Sequence, residues 1–346
     1  MFKSFASGSV KLSALLLAVM VSGSFQAASA FDAASFSVKF GAGAGKLMCY
    51  NSKVKSYEEP YPAGPSAFCI VGGKTAAVLD TFNRSLKLFD ENGKLGANLN
   101  IGELAKKEIP ADSPMGLSCV SARTDEKGVS EFAVSDRANG KIYILSAGRL
   151  VKTFGTPGRE KFQLGQIEEI AFDSDGSIAV CDWTNNKICV FDKDLKPVRE
   201  VPSQLNGMYY ASGILYYIEK GDAGKLAFMK LDVKTDKPEK LFELDRPASR
   251  IVKLLAVDSK GNARVAFFDD SIQENLMKDG AKDAPMGFYT VAVISPAGKV
   301  ASAVNLPVTT AFGSQFFFDR GAEKLYYQDY NADLAPEGVY TIKPIK

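Results

Sequence analysis

The chain has 346 residues, with 42 Lys+Arg against 40 Asp+Glu, 46% hydrophobic and 24% charged residues, and no histidine. That balance fits a soluble globular protein rather than a membrane bundle or a disordered chain. Without imidazole there is no Ser-His-Asp or Cys-His relay, no His-ligated zinc or haem and no histidine pH switch.

At the N-terminus, Lys3 and Lys11 are followed by the apolar run Leu12–Val21 and then by the small residues Ala28-Ser29-Ala30. A basic segment, a short apolar segment and a small-residue cleavage site make a secretory signal peptide. Residues 1–30 are therefore expected to be removed near Ala30, leaving 31–346 as a single domain in a bacterial periplasm or outside the cell. The apolar run is too short for about 30 Å of hydrocarbon, and no later apolar run reaches membrane-spanning length, so no integral span is expected. Losing the leader removes two lysines and no acid, which leaves a neutral chain. A neutral chain lacks the basic excess of a nucleic-acid binder.

Two short segments follow, Phe36–Phe40 and Lys46–Tyr50, each able to form a strand. The glycine-rich Phe40–Lys46 stretch between them resembles a phosphate loop only superficially. It lacks the Gly-Lys-Ser/Thr ending and is expected to be a flexible approach to the first paired strand.

The body of the chain is a repeat. Its clearest unit runs from Phe162: a strand at Ile167–Asp173, a Ser174-Asp175-Gly176 turn, a strand at Ser177–Cys181, a polar loop at Asp182–Asn186 and a strand at Lys187–Phe191. Apolar runs of four to six residues bounded by Gly, Asn and Asp are the strand signal. The same hairpin occurs from Ala77 and from Phe132, with anchors Asp80, Asp136 and Asp182 each followed three residues later by Asn83, Asn139 and Asn185. Diverged copies start at Ile214, at Leu254 (running on to Gly287 across a polar insert) and at Gln315. Six units of about four strands, at roughly 40–50 residues each, predict an all-β, six-bladed propeller of four-stranded antiparallel blades. The last unit shows only three strands, Phe316–Asp319, Lys324–Gln328 and Val339–Ile342. A strand from the N-terminal segment is expected to complete it, because an open ring would leave a bare sheet edge. Little helix is expected beyond a turn or two at Ile272–Lys278.

The V-x-D-x-x-N-x-x-I pattern of the hairpins at Val134–Leu145 and Val180–Asp192, with the looser Val78–Asp90, resembles the NHL-repeat propellers. The repeated carboxylates are expected to organise loops by accepting backbone N–H groups. The asparagines are expected to adopt the left-handed backbone, and Phe89, Ile142, Ile188 and Phe191 to fill the space between blades. Trp183, the only tryptophan, falls in a hairpin loop and is a candidate partner contact.

Five cysteines suit an oxidising compartment but leave one over. Cys181 and Cys189 would face each other if their hairpin were symmetric about Asn185, and a Cys49–Cys69 bridge would tie the closing strand to the first blade. Both pairs are disulfide candidates, and buried thiols are the alternative.

Aligning the inner strands brings Ser66, Met115, Glu168, Asn206, Lys253 and Ser314 into one column at the channel mouth, with Glu169 and Gln315 in the next. Polar side chains converging in a concavity form the default binding-site hypothesis, so Glu168, Glu169, Asn206, Lys253 and Gln315 are the ligand-binding candidates. The segment from Leu205 also resembles a strand-turn-strand of the gluconolactonase and senescence-marker lactonases. That resemblance implies a divalent cation held by Glu, Asn and Asp side chains, with Asn206 at the metal-binding asparagine, but Lys253 stands where an Asp is needed. The expectation is a monomeric, non-catalytic propeller without a cofactor that binds a protein, peptide or glycan on one face. The alternative is a metal-dependent lactonase-type hydrolase with its site at the channel mouth.

Overall fold

The protein is described from a computed structural model, which covers residues 31, 33, 36–50, 63–108, 115–124, 130–203, 207–221, 225–245, 251–269, 287–309 and 313–345. The expected signal peptide, the Ile272–Lys278 turn and Asn206 lie outside these residues.

The described strands form six four-stranded antiparallel sheets. Five are continuous in sequence. Blade one holds β2 (Ala67–Val71), β3 (Thr75–Asp80), β4 (Ser85–Asp90) and β5 (Leu95–Asn100), and blade two holds β6 (Leu117–Thr124), β7 (Ser130–Asp136), β8 (Lys141–Ser146) and β9 (Arg149–Phe154). Blade three holds β10 (Ile167–Phe172), β11 (Ile178–Asp182), β12 (Lys187–Phe191) and β13 (Pro197–Pro202), and blade four β14 (Met208–Ala211), β15 (Ile214–Lys220), β16 (Leu226–Asp232) and β17 (Lys237–Leu244). Blade five holds β18 (Ile251–Val257), β19 (Ala263–Asp269), β20 (Phe288–Ile294) and β21 (Val300–Pro307). In blade six β22 (Phe316–Asp319), β23 (Lys324–Asp329) and β24 (Val339–Pro344) are joined by β1 (Ser37–Lys39) from the N-terminus. The first strand of each blade packs against the first strands of its two neighbours, and the β2–β22 contact closes the circle. Among the described residues, the sheets are accompanied only by the four-residue helix α1 (Ile101–Leu104) and a 3-10 turn at Ala332–Leu334.

The core is divided into six apolar layers, each lying between two adjacent blades. This explains the uninterrupted apolar runs of the inner and middle strands: a sheet covered on both faces has no solvent side. β2 and β11 are buried at every position, whereas the rim strand β5 alternates between partly and fully exposed residues. Phe89, Ile142, Ile188 and Phe191 all lie in these layers, as expected.

Closure follows the first of the two candidate segments. Ser37, Val38 and Lys39 pair with Thr341, Tyr340 and Val339. Phe36, 2% exposed, meets Phe31, Phe89 and Tyr340 edge-on in the layer between blades six and one. The glycine-rich stretch follows this strand instead of leading to it. It folds into a tight turn, with Gly41 N–H donating to Leu47 O at 2.9 Å.

The repeated carboxylates are structural. Asp136 accepts from Gly116 N at 2.9 Å and Asn139 Nδ2 at 2.8 Å, and Asp182 from Gly165 N and Asn185 Nδ2, both at 2.7 Å. Each ties the end of a second strand to the chain entering the first. Asp80 instead pairs with buried Lys87 at 2.7 Å and receives Met48 N and Asn83 Nδ2. The asparagines do not take the left-handed conformation. Their side chains cap the carboxylate, and the next residue turns instead: Arg84, Gly140 and Asn186 have φ of 49°, 58° and 50°.

Neither disulfide candidate forms, and all five cysteines are free and buried. The β11–β12 register pairs Cys181 with Ile188 and Cys189 with Val180. A one-residue offset sends two side chains to opposite faces, so Cys189 enters the layer between blades two and three and Cys181 the layer between three and four. Cys49 and Cys69 are likewise in different layers.

Phe36→Ala should cost about 3–5 kcal/mol, read from urea unfolding. A loss below about 1 kcal/mol would mean that β1 does not seal the ring.

Candidate functional site

The inner strands all start at one end of the channel, here the upper mouth, and finish at the other. A belt of polar contacts joins blade to blade at the upper mouth. Ser66 Oγ donates to Leu117 O at 3.1 Å, and Ser118 Oγ to Ile167 O at 3.1 Å. Met208 N–H donates to Glu169 Oε2 at 3.1 Å. Gln315 Nε2 donates to Pro307 O at 2.7 Å while its Oε1 accepts from Thr309 N–H at 3.2 Å. Gly313 permits the closest approach: with φ of 99°, a Cβ there would stand 2.2 Å from Ser66 O and 2.5 Å from Ser118 O.

Glu168, Glu169, Lys253 and Gln315 line one cavity of about 20 Å³, roughly the room of one water molecule. Local irregularity aims some of these groups. The β10–β11 register jumps between Ile167 and Glu169, leaving Glu168 as the extra residue of a bulge, and β18 bulges likewise at Leu255, which also lines the cavity. Bulges redirect side chains next to sites. Gln315 is 3% exposed with both ends of its amide engaged in the belt, so it holds the mouth in shape. Ser66 is likewise spent in the belt.

The sequence reading missed Arg137, whose Nη1 lies 3.7 Å from Glu168 Oε1, and Tyr289, which lines the cavity. A signal for Arg137 existed. The residue after each anchor aspartate is Thr81, Arg137 and Trp183 in blades one to three. Thr81 Oγ1 reaches Ser66 Oγ at 2.6 Å and Arg137 reaches Glu168, so in blades one and two this variable position sends its side chain to the mouth; in blade three the Trp183 backbone N–H donates to Gln166 O.

Burial pushes the Glu169 carboxyl up to about 7, against the pull of Met208 N–H and Lys253. Burial opposes the Lys253 ammonium, but Tyr289, Glu168 and Glu169 together hold its pKa above the ordinary lysine value. Burial also pushes the nearby Cys119 thiol up to about 12 and raises Cys181, so neither is a thiolate nucleophile at neutral pH.

The described side chains do not suit a divalent cation. Arg137 pairs with Glu168 and Lys253 lines the same cavity as both carboxylates, so a cation placed there would meet a guanidinium and an ammonium. Among the described residues no group of three or more Cys, Asp or Glu side chains is placed to hold a metal.

The chain matches no protein-family profile and no curated protein sequence. Its backbone is similar to that of several solved structures at low identity. Hydrazine synthase of Kuenenia stuttgartiensis matches at 12% identity and TM-score 0.49, over 81% of this chain and 80% of that one. Virginiamycin B lyase of Staphylococcus aureus matches at 14% and 0.48, over 82% and 85%. The WD40 repeats of RRP9 match at 12% and 0.49, over 81% and 94%.

A carboxyl with a folded pKa above its unfolded value stabilises the fold fully below about 4.5, and that contribution is lost as pH rises towards 7. Relative to Glu169→Gln, the native protein should therefore lose about 2 kcal/mol between those two pH values, measured by urea unfolding at constant ionic strength. Parallel stability curves would show that the carboxylate is not desolvated.

Proposed function

We propose that the protein is an exported, NHL-like, non-catalytic propeller. It acts in the periplasm without a cofactor and binds a protein, peptide or glycan on the face around the upper mouth. The observation that carries this is Trp183. It is 45% exposed, and it sits at the position after an anchor aspartate whose counterparts in blades one and two reach the channel mouth. An exposed indole on the short turn between two buried strands is the kind of residue that forms a contact hot spot. The small, internally neutralised cavity supports the same choice, since it has room for little more than water. Metal-dependent lactone hydrolysis is disfavoured by Lys253 and Arg137 beside the two carboxylates. Among the described residues no helix is long and apolar enough to cross a membrane.

Because Trp183 is the only tryptophan, its emission reports this face alone. Titrating the purified protein with cell-wall oligosaccharides and envelope peptides should give a saturable shift for one class. Trp183→Ala should weaken that binding at least about thirtyfold, measured by calorimetry. Turnover of a lactone panel in the presence of calcium, magnesium, manganese or zinc would replace the binding role with the hydrolase.

A further inference from the structure

The lower end of the channel differs from the upper one. There the inner strands enclose a cavity of about 420 Å³, within the range of small-molecule sites. Its walls include Phe172, Tyr209, Phe317 and Phe318, and two arginines, Arg123 and Arg320, stand in its lining.

The two guanidiniums converge on one short turn. Arg123 Nη1 donates to Ser174 O at 3.2 Å, and Arg320 Nη1 pairs with Asp173 Oδ1 at 3.1 Å. Arg320 crosses the channel to do so, from blade six to blade three, and Nη2 also donates to Tyr210 O in blade four. Each guanidinium lies over a ring, Arg123 over Phe172 at 4.8 Å and Arg320 over Tyr209 at 5.2 Å.

Their counter-charges stand behind them. Glu131 pairs with Arg123, and Asp173, 1% exposed, with Arg320, but neither carboxylate lines the cavity. Asp319 does line it, and its carboxylate is taken up by Gly321 N at 2.9 Å and Ala322 N at 3.1 Å. A guanidinium has five N–H donors. Arg123 uses two, and because its Nε is buried, the donors it can turn to the cavity are those on Nη1 and Nη2. Glu131 and Asp173 already answer the two charges, so what the cavity wall offers a ligand is the guanidinium donors that these pairs do not use. Glu169 lines the inner end of the same cavity, away from the two arginines on the outer turns.

We propose that this lower chamber binds a small aromatic carboxylate, its ring among Phe172, Tyr209, Phe317 and Phe318 and its acid group shared by Arg123 and Arg320. Fork-like donors favour a carboxylate over a single acceptor, and the ring walls favour a flat apolar body. The site is separate from the Trp183 face, and neither depends on the other.

The test uses the purified protein at low salt and three probes in calorimetry: naphthalene-2-carboxylate, naphthalene-2-carboxamide and octanoate. The first should bind one per chain. The carboxamide, which keeps the ring and loses the charge, and octanoate, which keeps the charge and loses the ring, should each bind at least about tenfold more weakly. Arg123→Gln should weaken the carboxylate about tenfold and leave the carboxamide unchanged. Arg123→Lys should recover only part of that loss. Absence of carboxylate binding up to about 10 mM, equal binding of acid and amide, or an Arg123→Gln variant that binds the acid normally would each overturn the proposal. The comparison of ligands on the unaltered protein stands whether or not the variant folds.

Discussion

Everything in this protein depends on one contact, the antiparallel pairing of Ser37–Lys39 with Val339–Thr341. A sheet blade buries two faces only if it has a neighbour on each side, so six layers of core exist only when the ring is complete. An open ring would expose the layer between blades six and one, which contains Phe31, Phe36, Phe40, Phe89, Tyr326 and Tyr340. It would also leave the outer edge of β24 unpaired, a template for association with other chains. The aromatic cluster at this seam is thus where the fold needs the most apolar surface, since the two paired segments are short and their ends come from opposite termini.

The ring also explains the character of the channel. Once the inner strands are pressed together, the polar groups at their starts have only one another for partners. Ser66, Ser118, Glu169 and Gln315 become links between blades. What remains at the upper mouth is two carboxylates set against two cations, a site whose charges are already answered. The lower end is wider, and its cations are countered only from behind. A single architecture therefore presents a nearly closed polar ring at one end and an open, ring-lined chamber at the other.

Much of this was legible in the sequence because it is local. The strand–turn–strand units, the Asp-x-x-Asn anchors and the missing fourth strand of the last blade all follow from residues within a few positions of one another. The convergence of Glu168, Glu169, Lys253 and Gln315 was also legible, since equivalent positions in repeated blades must share a height on the channel wall. Three things were not. The cysteine pairing failed because one residue of turn geometry, the left-handed Asn186 in place of Asn185, shifts the register and reverses a face. The bulge that frees Glu168 has no composition signature. Arg320 and Asp173 are far apart in sequence and lie in opposite blades, and no periodicity announces a side chain that spans the channel.

The seam has a consequence in time as well as in space. Val38 pairs with Tyr340, so about 300 residues of synthesis separate the two halves of the closing blade. At about 5–20 residues per second, β1 waits roughly 15–60 s for its partner while the other blades emerge. Through that interval the nascent chain has no finished circle to resist unthreading.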